Sequence, residues 1–248
     1  MAFFDCHFFS ESLALAVGAH VLVPQPAPRE CATLWLLHGL SDDHTIWMRR
    51  TNIERYAAAR NLAVVMPAVG RSFYQDMACG PRYWTFLSEE LPALMRGFFP
   101  LSAARERNFA AGLSMGGYGA LRLALGCPGK FAAGASMSGA LDYAGRLRTA
   151  GKTGSRISLA EWQGIAGADL RMREDSDLHA LARRVPAAER PALWLDCGVD
   201  DELLGNSREF HAHLDALGYA HHYEERPGAH EWGYWDAQIQ RVIDWLPL

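Results

Sequence analysis

Three short stretches carry residue types that could do chemistry together. Gly112-Leu113-Ser114-Met115-Gly116 sets a serine between glycines two residues to either side. In this G-x-S-x-G spacing the glycines let a strand and the next helix pass closely, while the serine takes a strained turn conformation that holds its hydroxyl in the open. Asp200 and Asp201 follow the apolar run Ala192 to Leu195, and His230 lies in Gly228-Ala229-His230-Glu231-Trp232. A serine hydroxyl is a weak nucleophile at neutral pH; an imidazole can take its proton, and a carboxylate can fix the imidazole tautomer and stabilise its charged form. A loop histidine alone is usually only solvated. Here serine, acid and histidine each follow a different predicted strand, in the chain order used for nucleophilic acyl transfer. Spacing leaves either Asp200 or Asp201 as the acid.

Rival readings of the same residue types are weaker. Ser136 and Ser138, in G-A-S-M-S-G, follow an apolar run but lack the second spaced glycine and a helical continuation. Gly112 to Gly117 has P-loop spacing, but Tyr118 stands where that motif needs lysine. Five cysteines, Cys6, Cys31, Cys79, Cys127 and Cys197, are an odd number without a C-x-x-C pair, so neither a disulfide framework nor a zinc site is expected. His211 and His213 fall on different faces of one helix. The reading therefore expects no cofactor and no metal.

The elements that must position these residues alternate between strand and helix. Phe3 to Phe9 and Leu13 to Val23 read as an antiparallel edge hairpin, and Thr33 to Leu37 as a strand buried on both faces that runs into His38-Gly39-Leu40-Ser41. Arg49 to Arg60 reads as a helix, Leu62 to Met66 as a strand and Glu89 to Phe99 as a helix; the serine's strand starts near Asn108. After the turn, Tyr118, Leu121 and Leu125 repeat at helical spacing before Gly126 and Pro128. Phe131 to Met137, Ala192 to Leu195 and His221 to Arg226 are further strands, with helices at Ser207 to Leu217 and from Trp232 onward. The result is an α/β fold: a mostly parallel central sheet with helices on both faces. Residues 142–191, with scattered glycines and weak periodicity, read as a partial cap over the sheet rather than a second domain. Phe73, Tyr74, Tyr83, Trp84 and Phe86 either line a pocket or pack in the core.

At 248 residues the chain fits one large domain, here 1–248. Half of its residues are hydrophobic and its net charge is −4, which gives no electrostatic reason to expect nucleic acid or an anionic membrane. Met1 to Phe9 lacks the basic start and continuous apolar core of a signal peptide, and no run reaches membrane-spanning length. A cytoplasmic protein acting on a small molecule is expected, and a homo-oligomer is left open.

G-L-S-M-G-G-Y-G-A, L-L-H-G-L-S, Glu89-Glu90-Leu91-Pro92, Cys197-Gly198-Val199-Asp200-Asp201 and Gly228-Ala229-His230-Glu231-Trp232 together resemble the esterase D family of α/β-hydrolases, which includes S-formylglutathione hydrolases, tributyrin-type carboxylesterases and feruloyl esterases. The resemblance covers nearly the whole chain. It implies a serine carboxylesterase with Ser114 as nucleophile, His230 as base and Asp201, fourth residue of G-x-x-D, as acid. It further implies an oxyanion hole formed by the backbone N–H groups of Leu40 and Met115; His38, by its place in the loop, reads as a structural residue buttressing that hole. Typical S-formylglutathione hydrolases carry a cysteine near the position of Ser41 to His44 and read G-H-S-M-G-G where this chain reads G-L-S-M-G-G. Both departures favour the small carboxylesterase branch acting on short-chain acyl or aryl esters, with a thioesterase or acyltransferase of the same family as the alternative. A noncatalytic binding module of this fold would usually have lost a member of the triad, and this chain retains all three residues.

Overall fold

The computed structural model describes residues 1–248. Eight strands form one sheet in the order β1-β2-β4-β3-β5-β6-β7-β8. They are β1 (Ala2–Ser10), β2 (Leu15–Val23), β3 (Thr33–Leu37), β4 (Ala63–Pro67), β5 (Asn108–Leu113), β6 (Ala133–Met137), β7 (Ala192–Gly198) and β8 (His222–Arg226). β1 pairs antiparallel with β2 and β2 antiparallel with β4; the remaining pairs are parallel. The continuous apolar runs of β3, β4, β5 and β6 follow from this position, because every residue in them is buried under helices on both faces. The far edge is polar: Arg208 clamps Glu225 of β8, and Arg241 clamps Glu224. Charge of this kind discourages edge-to-edge pairing.

One face of the sheet is covered by α1 (Ile46–Arg50), α2 (Ile53–Ala59) and the terminal α10 (Trp232–Trp245), whose Trp235, Ile239, Val242 and Ile243 pack with Trp47 and Ile53. The other carries α3 (Tyr83–Thr85), α4 (Leu91–Phe98), α5 (Met115–Gly126), α6 (Tyr143–Arg148), α7 (Leu159–Ala166), α8 (Leu178–Arg184) and α9 (Leu204–Ala216). α5 is buried from Met115 through Leu125. A helix apolar all round belongs in a core, and the elbow serine is thereby fixed to the most rigid part of the molecule.

Three sequence boundaries need correction. The helix expected over Arg49 to Arg60 is two, because Thr51 is extended with its hydroxyl donating to Trp47 O at 2.6 Å, and the Asn52 N–H donates to Asp236 of α10. The strand expected to end at Leu195 runs to Gly198, held by pairing of Cys197 with Glu225 and Gly198 with Arg226, which moves Asp196 from the loop into the buried sheet. α9 begins at Leu204 rather than Ser207, on the turn Asp201 makes by accepting the Leu203 N–H. Among the loop aromatics, Phe73 lines a cleft, Tyr74 and Phe86 are core residues, and Trp84 lies under Arg122 at 3.9 Å.

Candidate active site

The C-terminal ends of β3, β5, β7 and β8 converge, and open α/β sheets place their ligands at such strand ends. Ser114 follows β5 with φ 54° and ψ −118°, a strained backbone for a residue with a side chain. The strain is held from both sides, since the Ser114 N–H donates to Met137 O and its carbonyl accepts from Ala140, both at 3.0 Å. Glycine is required on either side. A Cβ at Gly112 would strike the Gly116 carbonyl, and one at Gly116 the Leu37 carbonyl, so the strand-to-helix reversal has no room for side chains.

His230 comes from the loop after β8, and Asp201 from the loop after β7. Their side chains and Ser114 form one chain of hydrogen bonds: His230 Nδ1 stands 2.9 Å from Asp201 Oδ2, and His230 Nε2 stands 3.1 Å from Ser114 Oγ. Asp201 is buried while Asp200 is exposed. Burial alone would raise the Asp201 pKa, but the His230 contact and the Leu203 N–H, donated to Oδ1 at 2.8 Å, outweigh it and hold the carboxyl below its ordinary value. It therefore stays ionised opposite the imidazole. Trp235 packs edge-on against the His230 ring at 4.8 Å and fixes its plane. That contact was not foreseen from sequence, although Trp235 lies five residues on, at the start of α10.

Leu40 and Met115 both line the cleft beside Ser114, and their N–H groups have no acceptor within the protein. Met115 is the first residue of α5, so its N–H lies at the positive end of the helix. The loop that carries Leu40 is held by His38. Its Nδ1 donates to Gly39 O at 2.7 Å, its Nε2 accepts from Val69 N at 3.1 Å, and its carbonyl accepts from the Tyr74 hydroxyl at 2.8 Å. Burial pushes the His38 pKa down to about 4, so the ring is neutral in this bonding pattern. Ser136 and Ser138 are buried away from the cleft, and Ser138 Oγ instead accepts from Trp235 Nε1.

The cleft holds about 450 Å³. Its walls include Phe73, Arg146, Ile157, Trp162 and Leu203, of which Arg146, Ile157 and Trp162 lie in the segment between β6 and β7. Sequence reasoning named none of these except Phe73, because residues 142–191 carry neither a motif nor a clean period. Phe73 and Trp162 meet at 5.2 Å, and Tyr143 backs both. Phe73 and Tyr74 both have positive φ, 51° and 56°, the kind of outlier in bulky residues that gathers at ligand sites.

A serine, imidazole and carboxylate in one hydrogen-bonded line, with two free N–H groups beside the serine, form a constellation suited to acyl transfer. The Esterase family model matches residues 10–246. The chain belongs to the esterase family. This esterase is similar over 99% of its length to an acetyl esterase of Caldicellulosiruptor saccharolyticus, at 28% identity and 98% coverage of that protein. It superposes on the fluorophosphonate-binding serine hydrolase F of Staphylococcus aureus with a TM-score of 0.89 and 32% identity, covering 99% of this chain and 98% of that one. An S-formylglutathione hydrolase from Staphylococcus aureus matches with a TM-score of 0.87 and 31% identity, with the same coverage of both chains. The fold is that of the α/β-hydrolases, the resemblance to the esterase D family holds, and the protein is a serine hydrolase acting on ester bonds. No helix is long and apolar enough to cross a membrane.

Proposed function

We propose that this esterase hydrolyses short-chain carboxylic esters through an acyl-enzyme on Ser114, with His230 as general base and acid and Asp201 as its orienting carboxylate. The observation that carries the reading is the position of one imidazole, 3.1 Å from a strained serine hydroxyl on one side and 2.9 Å from a buried aspartate on the other. In the first half-reaction Ser114 Oγ attacks the ester carbonyl as its proton passes to His230 Nε2. The charge that develops on the carbonyl oxygen is met by the N–H groups of Leu40 and Met115, each worth about 3 kcal/mol at the transition state. The C–O bond to the alcohol breaks as His230 returns the proton to the leaving oxygen. Water, deprotonated by the same nitrogen, then attacks the acyl carbonyl, and Ser114 leaves with its proton restored.

Residues 142–191 act in this reading as a partial cap, supplying Arg146, Ile157 and Trp162 to the substrate cleft of a single domain. The tributyrin-type branch and a cytoplasmic setting remain the preferred assignments, from Ser41-Asp42-Asp43-His44, the G-L-S-M-G-G elbow and reduced cysteines that are all free. A second reading is favoured by the 31% identity to an S-formylglutathione hydrolase: the same site acting on a small thioester. Measuring kcat/KM over p-nitrophenyl acetate to palmitate and S-formylglutathione separates the two. Ser114→Ala is expected to lose activity by about a millionfold while keeping its fold, and to lose labelling by a fluorophosphonate probe. Activity within tenfold of wild type in that variant, or a label on another residue, would refute the nucleophile.

A further inference from the structure

We propose that Asp5, His20 and His44 form a binding site for one divalent transition-metal ion, zinc by ligand type. The site lies on the edge hairpin, apart from the Ser114 cleft. In the β1–β2 ladder Asp5 pairs with His20 and His7 with Gly18. Residues directly opposite, and residues two apart along a strand, share a face, so Asp5, His7 and His20 project to one side of the hairpin. His44 reaches the same place from the loop after β3. Its ring lies across Gly18, where an added Cβ would come within 2.6 Å of His44 Cε1, so a larger residue at that position would displace it.

The spacing is that of ligands around an ion rather than of hydrogen bonds between them. Asp5 Oδ1 stands 3.4 Å from His7 Nε2, 3.6 Å from His20 Nε2 and 3.8 Å from His44 Nε2. Nitrogen and oxygen ligands of tetrahedral zinc, each about 2.0–2.1 Å from the metal, stand about 3.4 Å from one another. The ligand atoms of Asp5, His20 and His44 all fall within 4.8 Å of one another, close enough for one ion to draw the three together. A direct N–H···O bond would bring the atoms to about 2.9 Å. The His20 and His44 rings both turn Nε2 toward the Asp5 carboxylate, so Nε2 is the nitrogen each offers an ion, while Nδ1 of each is buried without a hydrogen-bond partner. Imidazole with one carboxylate is a donor set that suits zinc. The second histidine group, His211, Asp215 and His221, differs in kind: His211 Nδ1 and His221 Nε2 are 2.8 Å apart, a hydrogen bond that an ion between them would have to break.

Sequence alone hid the site because its ligands sit on three separate segments without a recognisable spacing. A bound ion would tie the hairpin to the loop that carries Leu40, four residues before His44.

The test uses the full chain stripped with a chelator and titrated with zinc chloride by calorimetry, with thermal unfolding followed in parallel. Wild type is expected to bind one equivalent with a rise in Tm. His44→Ala and Asp5→Asn are each expected to weaken binding at least about 100-fold and abolish the Tm rise, and His211→Ala to bind as wild type does. Asp5 is half exposed, so Asp5→Asn keeps the fold and remains informative if His44→Ala does not. Cobalt(II) in the wild type should give the intense visible absorption of a tetrahedral centre. Absence of stoichiometric binding by wild type, or binding that survives Asp5→Asn and is lost in His211→Ala, overturns the proposal.

Discussion

The backbone N–H of Asp200 donates to the carbonyl of Gly228 at 3.0 Å, and this bond joins the loop of Asp201 to the loop of His230. With Val199 N–H donating to Arg226 O at 2.8 Å, it extends the β7–β8 pairing beyond the sheet until Asp201 and His230 face each other. Gly198 and Gly228 are in backbone contact at this point. Asp200 thus serves through its main chain while its side chain turns to solvent.

Asp200→Asn is therefore expected to retain kcat within about threefold of wild type, because neither the backbone bond nor the His230 contact involves its carboxylate. Asp201→Asn keeps the shape but presents an amide that favours the wrong imidazole tautomer, an effect of about ten-thousandfold on kcat in comparable triads. Steady-state kinetics of the two variants side by side check the assignment. An inactive Asp200→Asn beside an active Asp201→Asn would transfer the role of acid.

Acyl length is expected to be set by the aromatic wall. Phe73 and Trp162 pack together in the cleft wall with Tyr143 behind them, and a volume of about 450 Å³ lies toward the small end for ligand sites. Acetyl to butyryl esters are expected to be the better substrates, with kcat/KM falling at least tenfold by decanoyl. Phe73→Ala should open the wall and lift the decanoyl-to-acetyl ratio of kcat/KM at least tenfold. A steady rise from acetyl to palmitoyl in wild type would contradict the closed wall.

What the sequence made legible follows from how locally each feature is encoded. Ser114 and the strand–turn–helix around it are written in consecutive residues, and the glycines at 112 and 116 are required by contacts with nearby backbone. His230 was legible by order and strand-end position, whereas choosing Asp201 over Asp200 needed the family resemblance, since β7 ends three residues later than its apolar run suggests. Arg146 and Trp162 were not legible as cleft residues, because the short helices between β6 and β7 are placed by tertiary contacts rather than by period. The break at Thr51 was hidden for the same reason: its partner, Asp236 bonding Asn52, lies 184 residues away.

Arg122 illustrates such a tertiary contact and invites a stability test. It is buried on α5 with Nη1 donating to Tyr74 O at 2.6 Å and to Gln75 Oε1 at 2.9 Å, and Nε donating to Asp175 O at 3.0 Å. Tyr118 extends the link, its hydroxyl donating to Ser176 O at 2.7 Å. Arg122→Met preserves the aliphatic bulk but strands these acceptors, so a loss of about 3–5 kcal/mol in urea unfolding is expected. A loss under 1 kcal/mol would mean that the segment after β6 does not depend on Arg122 for its hold on the core.

Asp196 gives the pH dependence a sign. The residue is buried in β7, with Oδ2 accepting from Trp194 Nε1 at 2.6 Å and Oδ1 without a hydrogen-bond partner. Burial, aided by nearby Glu224 and opposed by Trp194, Tyr234 and Arg241, lifts its pKa from 3.8 to about 7. The unfolded chain loses this proton near its ordinary value, while the folded chain keeps it until about pH 7. Between those limits the folded state holds more protons, so stability falls as pH rises through the window and levels off above it. Three pKa units correspond to a loss on the order of 4 kcal/mol. Asp196→Asn carries no titrating proton and can still accept from Trp194. Its stability is expected to stay near that of wild type at pH 4 and to exceed it by several kcal/mol at pH 8, measured by urea unfolding at both values. Parallel profiles for the two proteins would show that Asp196 is ionised in the fold at neutral pH.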